Sequence, residues 1–444
     1  MSTNISLKHI NKLAIPALIA GVAEPILSIT DTAIVGNISE NATESLAAVG
    51  IVGTFISMLI WVLGQTRSAI SSIVSQYVGS NNLDKVKNLP AQAIFIITSL
   101  SIFIILGTYP FAESIFKLYN ASDLILNYSV EYYQIRVFGF PFTLFTIAIF
   151  GTFRGLQNTY YPMIIAIVGA SVNIVLDIVL VYGIEGYVPA MNIKGAAYAS
   201  VIAQMLMAII SAYYLLTKTA IPLRFSFPFN KEINRFAIMI LNLFVRTLAL
   251  NVTLYFASSF STSYGKEYIA AYTIAINLWF LGAFIIDGYA SAGNILSGKL
   301  LGGKEYGKLI TLSNKLIKYG VILGVIMAVL GAIFYNFIGH VFTKEESVLI
   351  AFYNVFWIVL AMQPLCAIAF IFDGMFKGLG KMKVLRNVLL MATFLVFVPL
   401  LFLLDSLDYK LYGIFIAFTF WIIARGLPLI VKFRQEFLPL SEKQ

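Results

Sequence analysis

Residues 12–37 read KLAIPALIAGVAEPILSITDTAIVGN, long and apolar enough to cross a bilayer yet carrying Glu24 and Asp31 inside the stretch. An ionised carboxylate near the middle of a spanning helix costs at least about 2.5–3.5 kcal/mol on insertion scales, so such residues face a bundle interior or a watery cavity. Pro16 and Pro25 lack a backbone N–H, free the carbonyls of Lys12 and Gly21, and invite kinks. A helix that is both bent and charged reads as machinery rather than scaffold.

The rest of the chain is of the same kind. Its 444 residues are 59% apolar and only 11% charged, and its mean hydropathy is +0.87, which excludes a soluble globular protein. Spans need about 20 apolar residues each. Twelve candidates follow, near 12–36, 48–78, 91–116, 128–152, 161–183, 195–217, 235–262, 268–298, 309–337, 348–373, 384–404 and 411–431, so the expected fold is an all-α polytopic membrane protein. The first apolar segment runs past 20 residues without a small-residue cleavage site and is expected to be an uncleaved span.

The net charge of +9 is explained by topology. With the N-terminus inside, the inner segments hold nineteen Lys and Arg, among them Arg154, Arg224, Lys299 and Lys377, whereas the outer loops hold five: Lys117, Lys194, Lys266, Lys344 and Lys410. The asymmetry places both termini in the cytoplasm, supports an even span count, and makes a nucleic-acid partner unnecessary. Cys366 stands alone in a span, so no disulfide forms within one chain. His9 and His340 lie far apart and give no metal signal. A phosphate loop, a zinc helix and a nucleophile elbow are all absent, so neither an enzyme nor a resident cofactor is expected.

The halves match each other at an offset of 223 residues. Pro141 matches Pro364, Gly151 matches Gly374, Gly79 matches Gly302, and Phe153-Arg154-Gly155-Leu156 matches Phe376-Lys377-Gly378-Leu379. Six spans per half insert in the same orientation, giving a parallel repeat about an axis along the membrane normal. The expected organisation is an N-lobe over 1–217, a cytoplasmic linker over 218–234, KTAIPLRFSFPFNKEIN, and a C-lobe over 235–444.

The repeat also acts as an internal control, since a packing need common to both halves should appear in both. Asp31 falls on Leu254, Asn173 on Val396 and Asp177 on Leu400, so only the first half carries this polar cluster. Asp31 lies six residues before Asn37 and Asp177 six before Gly183, which sets both about 9 Å short of the outer ends of their spans. Asn173, four residues before Asp177, shares its helical face. Two carboxylates and an amide at one depth make a cation or proton site, Na⁺ included, or else a structural hydrogen-bonding group near a kink. Glu24, two turns before Asp31, is either a second relay position or a structural partner. In the second half, depth pairs Arg246 with Asp287 as a structural ion pair, and Asp373 either joins that pair or guards the inner mouth.

The pieces Ala23-Glu24-Pro25, Asp31-Thr32-Ala33-Ile34-Val35-Gly36, Arg246-Thr247-Leu248-Ala249-Leu250, Asp287-Gly288-Tyr289-Ala290 and Asp373-Gly374-Met375-Phe376 resemble the multidrug and toxic compound extrusion (MATE) transporters, and within them the DinF-like branch. The resemblance covers nearly the whole chain. It implies a V-shaped pair of six-helix bundles in the plasma (inner) membrane that exports amphipathic organic cations by alternating access against an inward flow of H⁺ or Na⁺. On it, Asp31 is the span 1 coupling carboxylate, Pro16 its hinge, and Asn173 and Asp177 the span 5 partners. A monomer in contact with membrane lipid is expected. The alternative reading is a flippase for a lipid-linked saccharide or related amphipathic lipid, which would line its cavity with several basic residues; the first half offers only Arg67 and Arg136.

Overall fold

In lipid the only way for a single segment to satisfy its own backbone polar groups is a helix, and the chain takes that course throughout. The computed structural model describes residues 5–38 and 41–443, the side chains of 24–29 excepted. The long helices among them are α1 (Leu7–Val35), α2 (Ala42–Gly79), α3 (Leu83–Thr108), α4 (Asp123–Gly155), α5 (Tyr160–Tyr182), α6 (Asn192–Lys218), α7 (Ile233–Ser263), α8 (Lys266–Gly302), α9 (Tyr306–Ile333), α10 (Glu346–Gly378), α11 (Met382–Ser406) and α12 (Lys410–Glu442). Eleven of them, α2 to α12, are long and apolar enough to cross a membrane by length and composition. At about 1.5 Å per residue, α1 with its 29 residues is long enough as well. Polar side chains inside the spans fold back on their own helices: Thr247, Thr253 and Asn251 donate to the carbonyls of Leu243, Ala249 and Thr247 one turn earlier, which removes the cost of an unpaired donor in hydrocarbon.

The chain forms two compact units. The N-terminal unit is Ile19–Val74 with Asn82–Ala237; the C-terminal unit takes the chain up to Leu18, Ser75–Asn81 and everything from Ile238 on. The continuous helix α1 therefore passes from one unit to the other at Leu18, two residues after Pro16. Its first turns belong with the C-terminal unit because Ile10, Leu13 and Ala14 are buried in one core with Ala292, Leu296, Phe372 and Phe376. Gly288 lets Ala14 and Leu18 approach the backbone of α8, and the Tyr289 hydroxyl donates to Asn11 Oδ1 at 3.0 Å.

The 223-residue repeat has a packing basis. Gly151 sits against the Arg67 backbone and Gly374 against that of Ala290; Gly155 meets Ser71 and Val74, and Gly378 meets Asn294 and Ser297. In every case both partners move by 223. One contact maps onto itself: a Cβ at Gly79 would overlap the Lys299 carbonyl, and a Cβ at Gly302 would overlap that of Gln76, where residue 76 corresponds to 299 and 79 to 302. Gly302→Val would drive a branched side chain into backbone that has no room to yield. It is expected to lower the melting temperature of purified protein by the equivalent of about 1–3 kcal/mol or more, and an unchanged melting temperature would contradict this packing.

The segment joining the halves is held in the N-terminal unit by Gln92 and by its own Asn230, whose Nδ2 donates to the Lys85 carbonyl and to Asn88 Oδ1. Gln92, fully buried near the start of α3, donates to the carbonyls of Ser226 at 2.7 Å and Pro228 at 3.1 Å and accepts the Asn230 N–H at 2.8 Å. Arg224 beside it is exposed. With Cys366 replaced by Ser, Arg224→Cys is expected to escape a membrane-impermeant maleimide added to intact cells and to react once the membrane is permeabilised. Labelling of intact cells would reverse the inward orientation that the charge asymmetry implies.

Candidate functional site

Within the N-terminal unit, α5 ends where the sequence demands. Gly183 caps it at φ +77°, and a Cβ there would lie 2.7 Å from both Ala190 N and Val188 O, so only glycine turns the chain at this point. The Tyr182 hydroxyl donates to the Ile34 carbonyl at 2.8 Å, tying α5 to α1. Those two constraints fix the heights of Asp177 and Asp31, and the structure sets the two carboxyl groups side by side. Asp177 is 0% exposed and Asn173, one turn away, 3% exposed. Both Asp177 oxygens, Asp31 Oδ1 and Asn173 Nδ2 are buried without a hydrogen-bond partner among the described residues. Facing carboxyl oxygens that are buried and receive no donor are relieved by a shared proton or by a cation between them.

Two neighbours frame the pair. The Arg136 guanidinium, from the middle of α4, acts electrostatically on both carboxyls, and the buried Tyr132 hydroxyl lies within range of the same three groups. Arg136 is itself anchored, donating from Nη1 to Gln204 Oε1 of α6 at 2.9 Å. In the sequence Arg136 stands out only as a basic residue inside a span; Tyr132, one turn before it, lies on the same helical face. The side chains of Glu24 and Pro25 fall outside the described residues. Pro16 is described, and α1 continues through it.

In the C-terminal unit the expected pairing of Arg246 with Asp287 is not what forms. Arg246 Nη2 binds Asp373 Oδ1 at 2.5 Å. Asp287 is exposed, its nearest hydrogen-bonding partner being Ser291 Oγ at 3.5 Å on its own helix. Depth along a helix says nothing of the direction in which a side chain leaves the axis, and Asp287 leaves α8 on an exposed side. Asp373 draws in two more cations, Lys377 Nζ at 3.1 Å on Oδ2 and Arg425 Nη2 at 3.9 Å from Oδ1. Arg425, in the interior of α12, is absent from the sequence-based expectations although an arginine inside the last apolar span is the same kind of signal as Arg246. Since protein cations already balance Asp373, it is a poor seat for a further cation.

The chain's relationships agree with this architecture. The MatE family model matches it twice, over residues 16–179 and 239–403, the two matches beginning 223 residues apart. The chain belongs to the MatE family. Among its relatives, Protein DETOXIFICATION 42 of Arabidopsis thaliana is 25% identical over 94% of this chain and 90% of that protein. The DNA damage-inducible protein F of Escherichia coli K12 is 24% identical over 96% and 91%, and a probable multidrug resistance protein NorM of Photorhabdus laumondii 27% identical over 91% and 88%. Among solved structures, a MATE in the bent conformation superposes with a TM-score of 0.90 at 20% identity, covering 98% of this chain and 96% of the other; a MATE in the straight conformation gives 0.88. This MatE protein is thus a polytopic membrane transporter of the multidrug efflux family and not an enzyme.

Proposed function

We propose that this MatE protein is an antiporter of the plasma (inner) membrane that exports amphipathic organic cations by alternating access, driven by H⁺ or Na⁺ moving inward. The observation that supports it is the juxtaposed Asp31–Asp177 pair, in which both Asp177 oxygens and Asp31 Oδ1 are buried and receive no donor among the described residues. A proton shared between the two carboxyls, or a Na⁺ held by their oxygens with Asn173 one turn away, relieves the same repulsion; a hard cation with oxygen ligands suits this set. Arg136, fixed by Gln204, keeps the pair from accumulating more negative charge than one exchangeable cation can balance. Organic cation and coupling ion then compete for the same negative charge, and that competition is the coupling.

The hinge in this scheme is the part of α1 around Pro16, where the ring removes a helix hydrogen bond and beyond which the helix changes unit. Pro25 would serve as a second bend near Glu24. The proposal is tested by dye efflux from proteoliposomes with pH and Na⁺ gradients imposed one at a time. Efflux driven by one of them supports it, and dye retained under both contradicts it. The flippase reading rests on several basic residues for a pyrophosphate, whereas Arg136 is the basic group acting on Asp31 and Asp177.

A further inference from the structure

The C-terminal unit buries an excess of positive charge at one point. Arg246 from α7, Lys377 from α10 and Arg425 from α12 converge on the single carboxylate of Asp373. Arg246 and Asp373 are each 7% exposed and Arg425 6%, so three cations and one anion share an apolar interior. Arg246 and Arg425 also lie within electrostatic range of each other. No second carboxylate reaches the group among the described residues, Asp287 being exposed and directed to Ser291.

Asp373 does not hydrogen-bond all three. Its Oδ1 takes Arg246 and its Oδ2 takes Lys377, which leaves Arg425 at 3.9 Å, beyond hydrogen-bond reach. Arg246 Nε is buried with no acceptor among the described residues. The Arg425 guanidinium is held over the Trp421 ring at 4.5 Å and the Phe370 ring at 5.3 Å. Stacking of this kind fixes the plane of the guanidinium while leaving its N–H edge available, which is how arginine is used to receive a planar or tetrahedral oxyanion.

We propose that Arg246, Lys377 and Arg425 form a binding site for one oxyanion, a phosphate or carboxylate group, seated beside Asp373. Uncompensated cations in a membrane interior are costly. An oxyanion supplies both the missing charge and the acceptor lone pairs that Arg246 Nε and Arg425 lack, in charge-assisted bonds. The group is either a solute from water or the phosphate of an anionic lipid. The site lies in the C-terminal unit, apart from Asp31 and Asp177, so it stands or falls separately from the coupling scheme.

The test is the melting temperature of purified full-length protein, titrated with inorganic phosphate and with succinate against sodium chloride at matched ionic strength. In parallel, nanodiscs of phosphatidylglycerol are compared with nanodiscs of phosphatidylcholine. Wild type is expected to show a saturable rise of about 2–5 °C in one arm, the soluble anion or the anionic lipid, and that arm identifies the source. Arg425→Gln should abolish the rise, as should Lys377→Gln, which removes a less buried cation and serves if the arginine variant folds poorly. Asp373→Asn, freed of the competing carboxylate, should respond at lower anion concentration than wild type. No saturable rise in either arm, or an equal rise in wild type and Lys377→Gln, overturns the proposal, the latter meaning an adventitious ion only.

Discussion

Asp31→Asn protein reconstituted in vesicles is expected to lose gradient-driven dye efflux by at least about tenfold while retaining its fold and measurable dye binding. The carboxyl of Asp31 lies beside that of Asp177, in a setting where Asp177 has no other hydrogen-bond partner among the described residues. Replacing one carboxyl by an amide removes the negative charge that the coupling ion and the organic cation compete for, and it gives Asp177 a permanent donor. The site then no longer needs a proton or Na⁺ in any state. A ligand shifts two conformations only by its differential affinity for them, so the gradient loses its hold on the cycle while the fold persists. Asp177→Asn should act in the same direction, more weakly, since Asp31 then still carries the exchangeable negative charge beside Arg136. Wild-type rates in Asp31→Asn vesicles under either gradient would remove the coupling role from this pair.

The second large effect is on stability. Asp373→Asn leaves Arg246, Lys377 and Arg425 facing one another without a carboxylate, and removal of the one anion from a buried charge group costs about 3–5 kcal/mol. The melting temperature is therefore expected to fall sharply. Arg246→Gln should cost less, since Lys377 and Arg425 remain for Asp373, and the double variant should lose less than the two singles added, because Arg246 is then no longer left without its carboxylate. Asp287→Asn, at an exposed position with one 3.5 Å contact, should stay within about 0.5 kcal/mol of wild type. Additive losses, or an Asp287 variant as damaged as the Asp373 variant, would reject the network.

The contrast between Asp177 and Asp287 shows how far the amino-acid order reaches. Helix existence and depth follow from apolar length, charge punctuation and a constant offset, which is why the long helices and the repeat could be anticipated and why Asp31 and Asp177 could be set at one height. Glycines spaced 223 apart carried more than conformational freedom, since Gly79 and Gly302 each leave room for the backbone that packs against them. Azimuth was not legible. Choosing between Asp287 and Asp373 as the partner of Arg246 requires knowing which face of α8 and α10 turns inward, and apolar spans buried on several sides carry almost no periodic signal of that kind. Arg425 was legible in principle as an arginine inside an apolar span. Tyr132 and Gln204 were not, because neutral polar residues on membrane helices satisfy themselves on the preceding turn as often as they serve a site.

The most direct test of the coupling scheme measures the ion and the drug together. Purified wild-type protein in weakly buffered detergent solution is titrated with an organic-cation dye while released protons are followed by a pH indicator and released ²²Na⁺ by equilibrium dialysis. The scheme predicts release of about one H⁺ or one Na⁺ per dye bound, dye affinity that rises as that ion is removed, and neither effect in Asp31→Asn. Dye binding that releases neither ion, or equal release from wild type and Asp31→Asn, would contradict it.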